Sequence, residues 1–311
     1  MKYLFSLFLL TISILSYGQA IPATIKTTKT AAHINIPSTK VFLIAPEGFT
    51  LSQELPAIEK GQDGTIQVLD LIDADVATDT SIFNRKGFEA QGFRMLDYKE
   101  LTINGYAARL ALLQRNDGTR TYRLLFGDTS FSALLMGSFA QTDNKTGSEI
   151  LKSMLTVYYD KSVQINPFGQ AIFTLDETHT RLKFAKYSGG SYIYSLNGRT
   201  EGSDENPLFT VNVISADATM PELIADIFLS KLREAGLHVL SMENAVTEKI
   251  NGLPSFHREI YCTMMNDKKI LIYSHVVIID HTAIIMEGQA ATNFSTFIKD
   301  FQALGGTIRK K

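Results

Sequence analysis

Apolar and polar positions along this chain of 311 residues keep two rhythms, one of about two residues and one of about 3.6, which are the signatures of strands and helices. β-Rich runs come first, "VFLIAPEGFTLS" from Val41 and "TIQVLDLI" from Thr65. A helix is expected within "TDTSIFNRKGFEAQGF" (78–93), although Gly87 near its middle weakens it. Extended runs follow at 94–103, 106–114, 121–126 and 131–140, and "SEILKSMLTVYY" (148–159) reads as an amphipathic helix. The order then starts again. Strand-like runs at 181–187, 191–196 and 208–215 lead into a helix whose apolar positions Leu223, Ile224, Ile227, Phe228 and Leu232 fall on one face. Thr219 and Glu222 fit a capping box, Pro221 suits a first turn, and Gly236 is placed to stop this helix. Runs at 255–265, 269–278 and 282–291 and a final helix at 293–304 complete the pattern, with Gly305-Gly306 to end it.

The tripeptide Ile-Asn-Gly recurs 147 residues apart, at 103 and 250, each time between an extended run and a hairpin. That spacing is too long for a solenoid unit and right for a domain. Both hairpins turn at Asn-Asp, at Asn116-Asp117-Gly118 and at Asn266-Asp267, and both following strands end in small residues. The expected fold class is α+β: two tandem α-β-α domains over 35–160 and 168–308, each a mainly antiparallel sheet with packed helices, joined near 160–170. Asn104 and Asn251 read as turn residues rather than binding residues, because Asn and Gly supply left-handed backbone.

A helix, a strand, "ING", a long hairpin, a strand ending in small residues and a final helix together resemble the PsbP/Mog-type fold, which includes DcrB-like exported proteins. "APEGF" at Ala45–Phe49 is similar to a Pro-x-Gly-aromatic stretch of those domains, and the second half reads "KYSGGSY" instead. The resemblance implies α-β-α layering and a binding or assembly role, often as an accessory subunit. It implies no catalytic motif and no particular ligand.

Residues 1–20 read as a signal peptide, with Lys2, an apolar stretch "YLFSLFLLTISILSY", and Gly18 and Ala20 as small residues at a cleavage site. The apolar run is shorter than a membrane span and Ser6, Thr11 and Ser13 interrupt it. The mature chain is expected to be periplasmic or secreted, with no membrane span. A net charge of −2 argues against nucleic-acid binding, which wants a basic face. The single Cys262 excludes an intramolecular disulfide and sits in an apolar run, as a small buried hydrophobe does.

Candidate chemistry is sparse. His257 and Glu259 share one strand face with Cys262 on the other, and no C-x-x-C completes a zinc site. His275 and His281, six apart on one apparent strand, stand roughly 20 Å apart, too far to share an ion. His33 and His179 have no obvious partners. The acidic stretches "DLIDADVATDTS" and "EGSDEN" lack a calcium-loop pattern, and Asp75 and Asp79 are better placed as helix caps and first-turn acids. Gly189 and Gly190 read as a hairpin turn rather than a phosphate loop. Arg109, Arg115, Arg120 and Arg123 flank the first hairpin and read as a solvated face. No catalytic, cofactor-binding or metal-ligating residue and no cofactor is assigned. The function expected is a non-enzymatic binding or assembly module of the cell envelope, an accessory subunit or chaperone-like protein. Its partner would be an envelope or secreted protein, with a hydrophobic peptide or a lipid as other candidates. The alternative is a hydrolase of an unrecognised class on exported or envelope substrates, for which His257, Glu259, His275 and Asp280 are the residues to inspect.

Overall fold

A computed structural model describes residues 21–311 apart from 54, 73, 81–82, 170, 201–205, 217–219, 235 and 264–267. The expected signal peptide, the cap at Thr219, the Asn266-Asp267 turn, Asp73 and most of "EGSDEN" lie outside these residues, as does the side chain of Asp79. The chain forms β1 (Thr24–Ile25), β2 (His33–Asn35), β3 (Val41–Ile44), β4 (Thr50–Leu51), β5 (Ala57–Lys60) and β6 (Gly64–Ile72). Two short helices, α1 (Val76–Thr80) and α2 (Arg85–Ala90), precede β7 (Arg94–Ile103), β8 (Tyr106–Gln114), β9 (Thr119–Gly127) and β10 (Phe131–Ala140). Helix α3 (Asn144–Met154) and β11 (Tyr158–Tyr159) follow. Next come β12 (Phe173–Thr174), β13 (Leu182–Ser188), β14 (Ser191–Leu196), β15 (Leu208–Ser215) and α4 (Pro221–Glu234). The chain ends through β16 (His238–Ile250), β17 (Leu253–Thr263), β18 (Lys269–Ile279), β19 (Thr282–Ala290), α5 (Phe294–Gly305) and β20 (Arg309–Lys310).

The fold is α+β. One large sheet runs β1-β7-β8-β9-β10-β6-β5-β4 and is antiparallel except for the β1–β7 pair. The other is wholly antiparallel and runs β13-β14-β15-β19-β18-β17-β16. Alternation of inward residues along each strand buries one set under α3 or α5 and the other under α1 and α2 or α4. Gly137 on β10 and Gly288 on β19 let the helices close on the sheets. A Cβ at Gly137 would stand 2.3 Å from Ile150 of α3, and one at Gly288 2.4 Å from Phe301 of α5.

The hydrogen bonds after the two closing helices match one for one. Thr156 Oγ1 donates to Ser153 O at 2.7 Å and accepts from Ile44 N at 2.9 Å. Thr307 Oγ1 donates to Leu304 O at 2.7 Å and accepts from Asp176 N at 2.9 Å. Asn104 and Asn251 both have φ of 52°, and Gly105 and Gly252 follow at 87° and 86°, so each pair makes a two-residue hairpin turn with positive φ throughout. Asn104 Nδ2 then donates to Val157 O at 3.3 Å, and Asn251 Nδ2 to Ile308 O at 2.8 Å. The Asn side chain thus ties the hairpin to the strand that leaves the helix.

Three expectations need correction. The first-half helix is two short pieces, because Asp75 caps Ala77 at 2.9 Å and Asn84 starts a second helix by accepting from Gly87 N at 3.0 Å. In α4 the buried stripe is Pro221, Ile224, Ala225 and Leu229, at spacings that meet the sheet, which leaves Leu223 and Ile227 each 51% exposed on its outer side. Strand β18 ends at Ile279, so His281 is not on it but in the exposed turn where Asp280 has φ of 53°.

Candidate functional site

Three of the four residues singled out for hydrolysis come together on the α5 side of β17 and β18. His257 and His275 are cross-strand partners with ring centroids 5.6 Å apart, and Glu259 follows on the same face. Asp280 is elsewhere, 2.7 Å from Lys310 Nζ. His275 is fully buried. Its Nε2 is 2.7 Å from Ser255 Oγ and its Nδ1 3.2 Å from the Tyr273 hydroxyl. Burial, and secondarily the charge of His257, pushes the His275 pKa down to about 3, so the ring is neutral. A Cβ at Gly305 would stand 2.8 Å from His275 Nδ1, so α5 seals this ring. Ser255 is equally buried, and a nucleophile that no substrate can reach performs no catalysis. The Ser255–His275–Tyr273 chain is a satisfied core network.

Around it, Glu259 accepts from Asn244 Nδ2 at 2.9 Å and from the Tyr261 hydroxyl at 3.1 Å. His257 Nδ1 lies 3.4 Å from Glu248 Oε1, close enough for attraction but not aligned as a hydrogen bond. No group of three His, Cys, Asp or Glu that could hold a metal ion occurs among the described residues. Cys262 is buried on the opposite face, its thiol pushed up by burial. His33 bonds Thr30 and Thr156, whereas His179 is exposed.

Gly189 and Gly190 form the β13–β14 turn as expected, with φ of 59° and 85°. The sequence does not reveal where that turn docks. Gly189 N donates to Asp70 O at 3.0 Å, so the hairpin of the second sheet rests on β6 of the first. Beside it lies a cavity of about 190 Å³ lined by Gln67, Leu69, Tyr187, Tyr192 and Asn212 among others. The Asp70 carboxylate, buried beneath, accepts from Lys40 N at 2.8 Å and the Tyr159 hydroxyl at 2.9 Å. Its pKa is raised because desolvation outweighs those bonds.

The four arginines divide. Arg109 pairs with Glu100 at 3.7 Å and donates to Thr80 O at 2.7 Å. Arg120 reaches toward Gln114 and Asn144, and Arg115 is exposed. Arg123 departs from a solvated face: it is half-buried against Phe88 and Phe93.

An unusual surface lies at β16 and α4. Strand β16 is the outer edge of its sheet and is exposed along nearly all its 13 residues. Among the described residues, five of the eleven exposed large apolar side chains lie here: Met220, Leu223 and Ile227 at α4, and Leu240 and Met242 on β16, whereas a sixth, Val246, pairs with His257 and so points to the α5 side. Such concentration is unlike the scattered exposed apolar residues of an ordinary surface. Thr247 Oγ1 donates to Glu222 Oε1 at 2.6 Å and joins the strand to the helix. Two bulges, between Val239 and Ser241 and between Glu243 and Val246, leave Val246–Ile250 as a regular open stretch.

Comparison with known proteins places these features in no family. No family model matches the chain, and no curated protein matches it. Among solved structures, one from Bacteroides thetaiotaomicron VPI-5482 is 11% identical, with a TM-score of 0.30, over 45% of this chain and 45% of that one. The chain thus spans under half the length of that protein. The PsbP protein of Synechocystis sp. PCC 6803 is 13% identical, with a TM-score of 0.29, over 49% of this chain and 100% of its own. The immunity protein TplEi of the T6SS from Pseudomonas aeruginosa is 10% identical, with a TM-score of 0.30, over 90% of this chain and 97% of its own. Likenesses of this size assign no function. Among the described residues no helix is long and apolar enough to cross a membrane.

Proposed function

We propose that this chain is an exported, non-enzymatic binding module whose partner is another polypeptide, received on the open edge of β16 beside α4. The observation that carries the reading is the apolar surface of Leu223, Ile227, Leu240 and Met242 next to an edge strand with an unpaired outer side. An extended segment added to such an edge gains main-chain hydrogen bonds, and alternate side chains supply specificity. The bulges and the charged Glu243, Glu248 and Lys249 blunt the edge against self-association while leaving a short stretch open. A hydrophobic peptide fits this surface better than a lipid does, since the central strands are covered by α4 and α5 and no broad apolar sheet face is exposed among the described residues.

In this reading the chain is a tandem duplication with domains at 35–160 and 168–308, behind a cleaved signal peptide at 1–20, and it works in the periplasm or outside the cell as an accessory or chaperone-like protein. The matching strand orders, the paired Asn-Gly turns and the equivalent Thr156 and Thr307 bonds support the duplication. The hydrolase alternative has the weaker footing, because its nearest constellation is sealed in the core.

The test is site-specific photocrosslinking in the envelope and secreted fractions of the source cells. A crosslinker at Met242 or Leu223 is expected to capture one reproducible protein that a crosslinker at Lys145, exposed on α3, does not. Capture from Lys145 alone, or from none of the three, removes the proposal.

A further inference from the structure

Two cross-strand rows of side chains lie on the helix-facing side of the first sheet where α1 and α2, at five and six residues, are too short to cover it. One row is Thr121–Ser138–Thr65 and the next is Arg123–Met136–Gln67. Residues two apart on a strand share a face, so the rows lie side by side. Thr121 Oγ1 and Ser138 Oγ are 3.1 Å apart, hydrogen-bonded to each other at the floor. With Thr119, Phe93 and Arg115 these rows enclose a cavity of about 150 Å³.

Charge in this cavity is one-sided. The Arg123 guanidinium lies 4.5 Å from the centroid of Phe93 and Arg115 lies 5.0 Å from the same centroid, so two cations contact one ring. Neither makes an ion pair with a carboxylate among the described residues. Arg123 Nη1 donates to Gln91 Oε1 at 2.9 Å, and its buried Nε makes no hydrogen bond among the described residues. A guanidinium carries five N–H donors, and the buried Nε of Arg123 is one that the protein leaves without an acceptor among the described residues. Burial, then the neighbouring Arg115 charge, pushes the Arg123 pKa below its usual value, which shows how poorly compensated the cation is. Two like charges beside a row of hydroxyls suit an anion with oxygen acceptors, since among the described residues Arg115 is answered only by solvent and the nearby Asp117, and the buried Nε of Arg123 by neither.

We propose that this cavity is a binding site for a small oxyanion, the phosphate, sulfate or carboxylate group of a small molecule, held by Arg115 and Arg123 with hydroxyl donors from Thr65 and from whichever of Thr121 and Ser138 does not donate to the other, and with the amide of Gln67. Phe93 and Met136 give the cavity an apolar side that would take the carbon part of an organic anion. The site is independent of the β16 edge, which belongs to the other sheet.

The test is calorimetric titration of the whole chain with inorganic phosphate, sulfate and acetate, each against sodium chloride of matched ionic strength. Saturable binding of at least one oxyanion above the chloride control is expected, and the arm that binds best identifies the group. Loss of one charge-assisted contact is worth roughly tenfold or more, so Arg115→Gln and Arg123→Gln should each weaken binding by that factor. Arg120→Gln, which is outside the cavity, should leave it unchanged. Arg123 packs on two rings and its variant could unfold, but Arg115 is exposed and its variant carries the test alone. No binding above the chloride control for any oxyanion, or binding that survives Arg115→Gln undiminished, overturns the assignment.

Discussion

His275 gives the chain a stability that depends on pH in a calculable way. In the folded protein its pKa is about 3, against 6.5 for the unperturbed ring. A base with a depressed folded pKa contributes fully above the unfolded value and loses that contribution as pH falls, because the unfolded chain takes up the proton first. The window therefore runs from about pH 6.5 down to about 3. Linkage with these two values puts the loss relative to neutral pH at about 2 kcal/mol by pH 5 and about 3 kcal/mol by pH 4. The groups around the ring do not reverse the sign: Ser255 and Tyr273 are hydroxyls, Gly305 is backbone, and His257 repels a second positive charge. The assay is urea unfolding at pH 7, 6, 5 and 4 for the natural chain and for His275→Gln, which keeps a hydrogen-bonding side chain. The variant is expected to be less stable at pH 7 by roughly 1–3 kcal/mol, through disturbed hydrogen bonds in a tight core. Its stability should nevertheless fall less steeply between pH 6.5 and 4, and the difference between the two curves isolates this group from titrating carboxylates. Parallel curves, or an NMR titration of His275 with a midpoint near 6.5 in the folded protein, would refute the reasoning.

Further predictions concern packing, turns, an ion pair and the edge. Gly288→Ala and Gly137→Ala each place a Cβ within 2.4 Å of a buried helix side chain, so each should lower stability by about 1–3 kcal/mol in thermal unfolding. Asn251→Ala should cost about 1–2 kcal/mol by denaturant titration, because alanine is strained in the left-handed region at φ 52°, and Asn251→Gly should cost less. Asp300, 9% exposed, binds Arg181 through its guanidinium and backbone N–H, and Asp300→Ala should lose roughly 1–3 kcal/mol by the same assay. Met242→Lys should change stability by less than about 0.5 kcal/mol, yet abolish capture of the polypeptide partner.

Much of the fold was legible because local chemistry and topology agree. Asn104-Gly105 and Asn251-Gly252 needed positive φ, and the turns they make set the register of both long hairpins. The small residues ending β10 and β19 were legible as a shared pattern, and its physical reason is the close helix approach at Gly137 and Gly288. Cys262 behaves as its apolar neighbours implied. What was hidden depends on contacts between distant segments. Leu223 and Ile227 look like core residues by spacing, and only the position of the sheet under Ile224, Ala225 and Leu229 shows that they face outward. Strand β16 reads like any half-buried strand, and its exposure follows from its place at the end of the strand order. His257 and His275 are 18 positions apart, so only the β17–β18 register reveals that they share a face. The rows around Arg123 join three strands, and no spacing within one strand announces them.

The most direct measurement of partner binding at the β16 edge is amide hydrogen exchange of the full chain with and without peptides selected from a displayed random library. Peptides that bind the natural chain but not Met242→Lys should carry alternating apolar residues and should slow exchange at β16, most of all over Val246–Ile250. Selected peptides that bind both proteins alike, or protection that falls on other strands and leaves β16 unchanged, would contradict a strand-adding role.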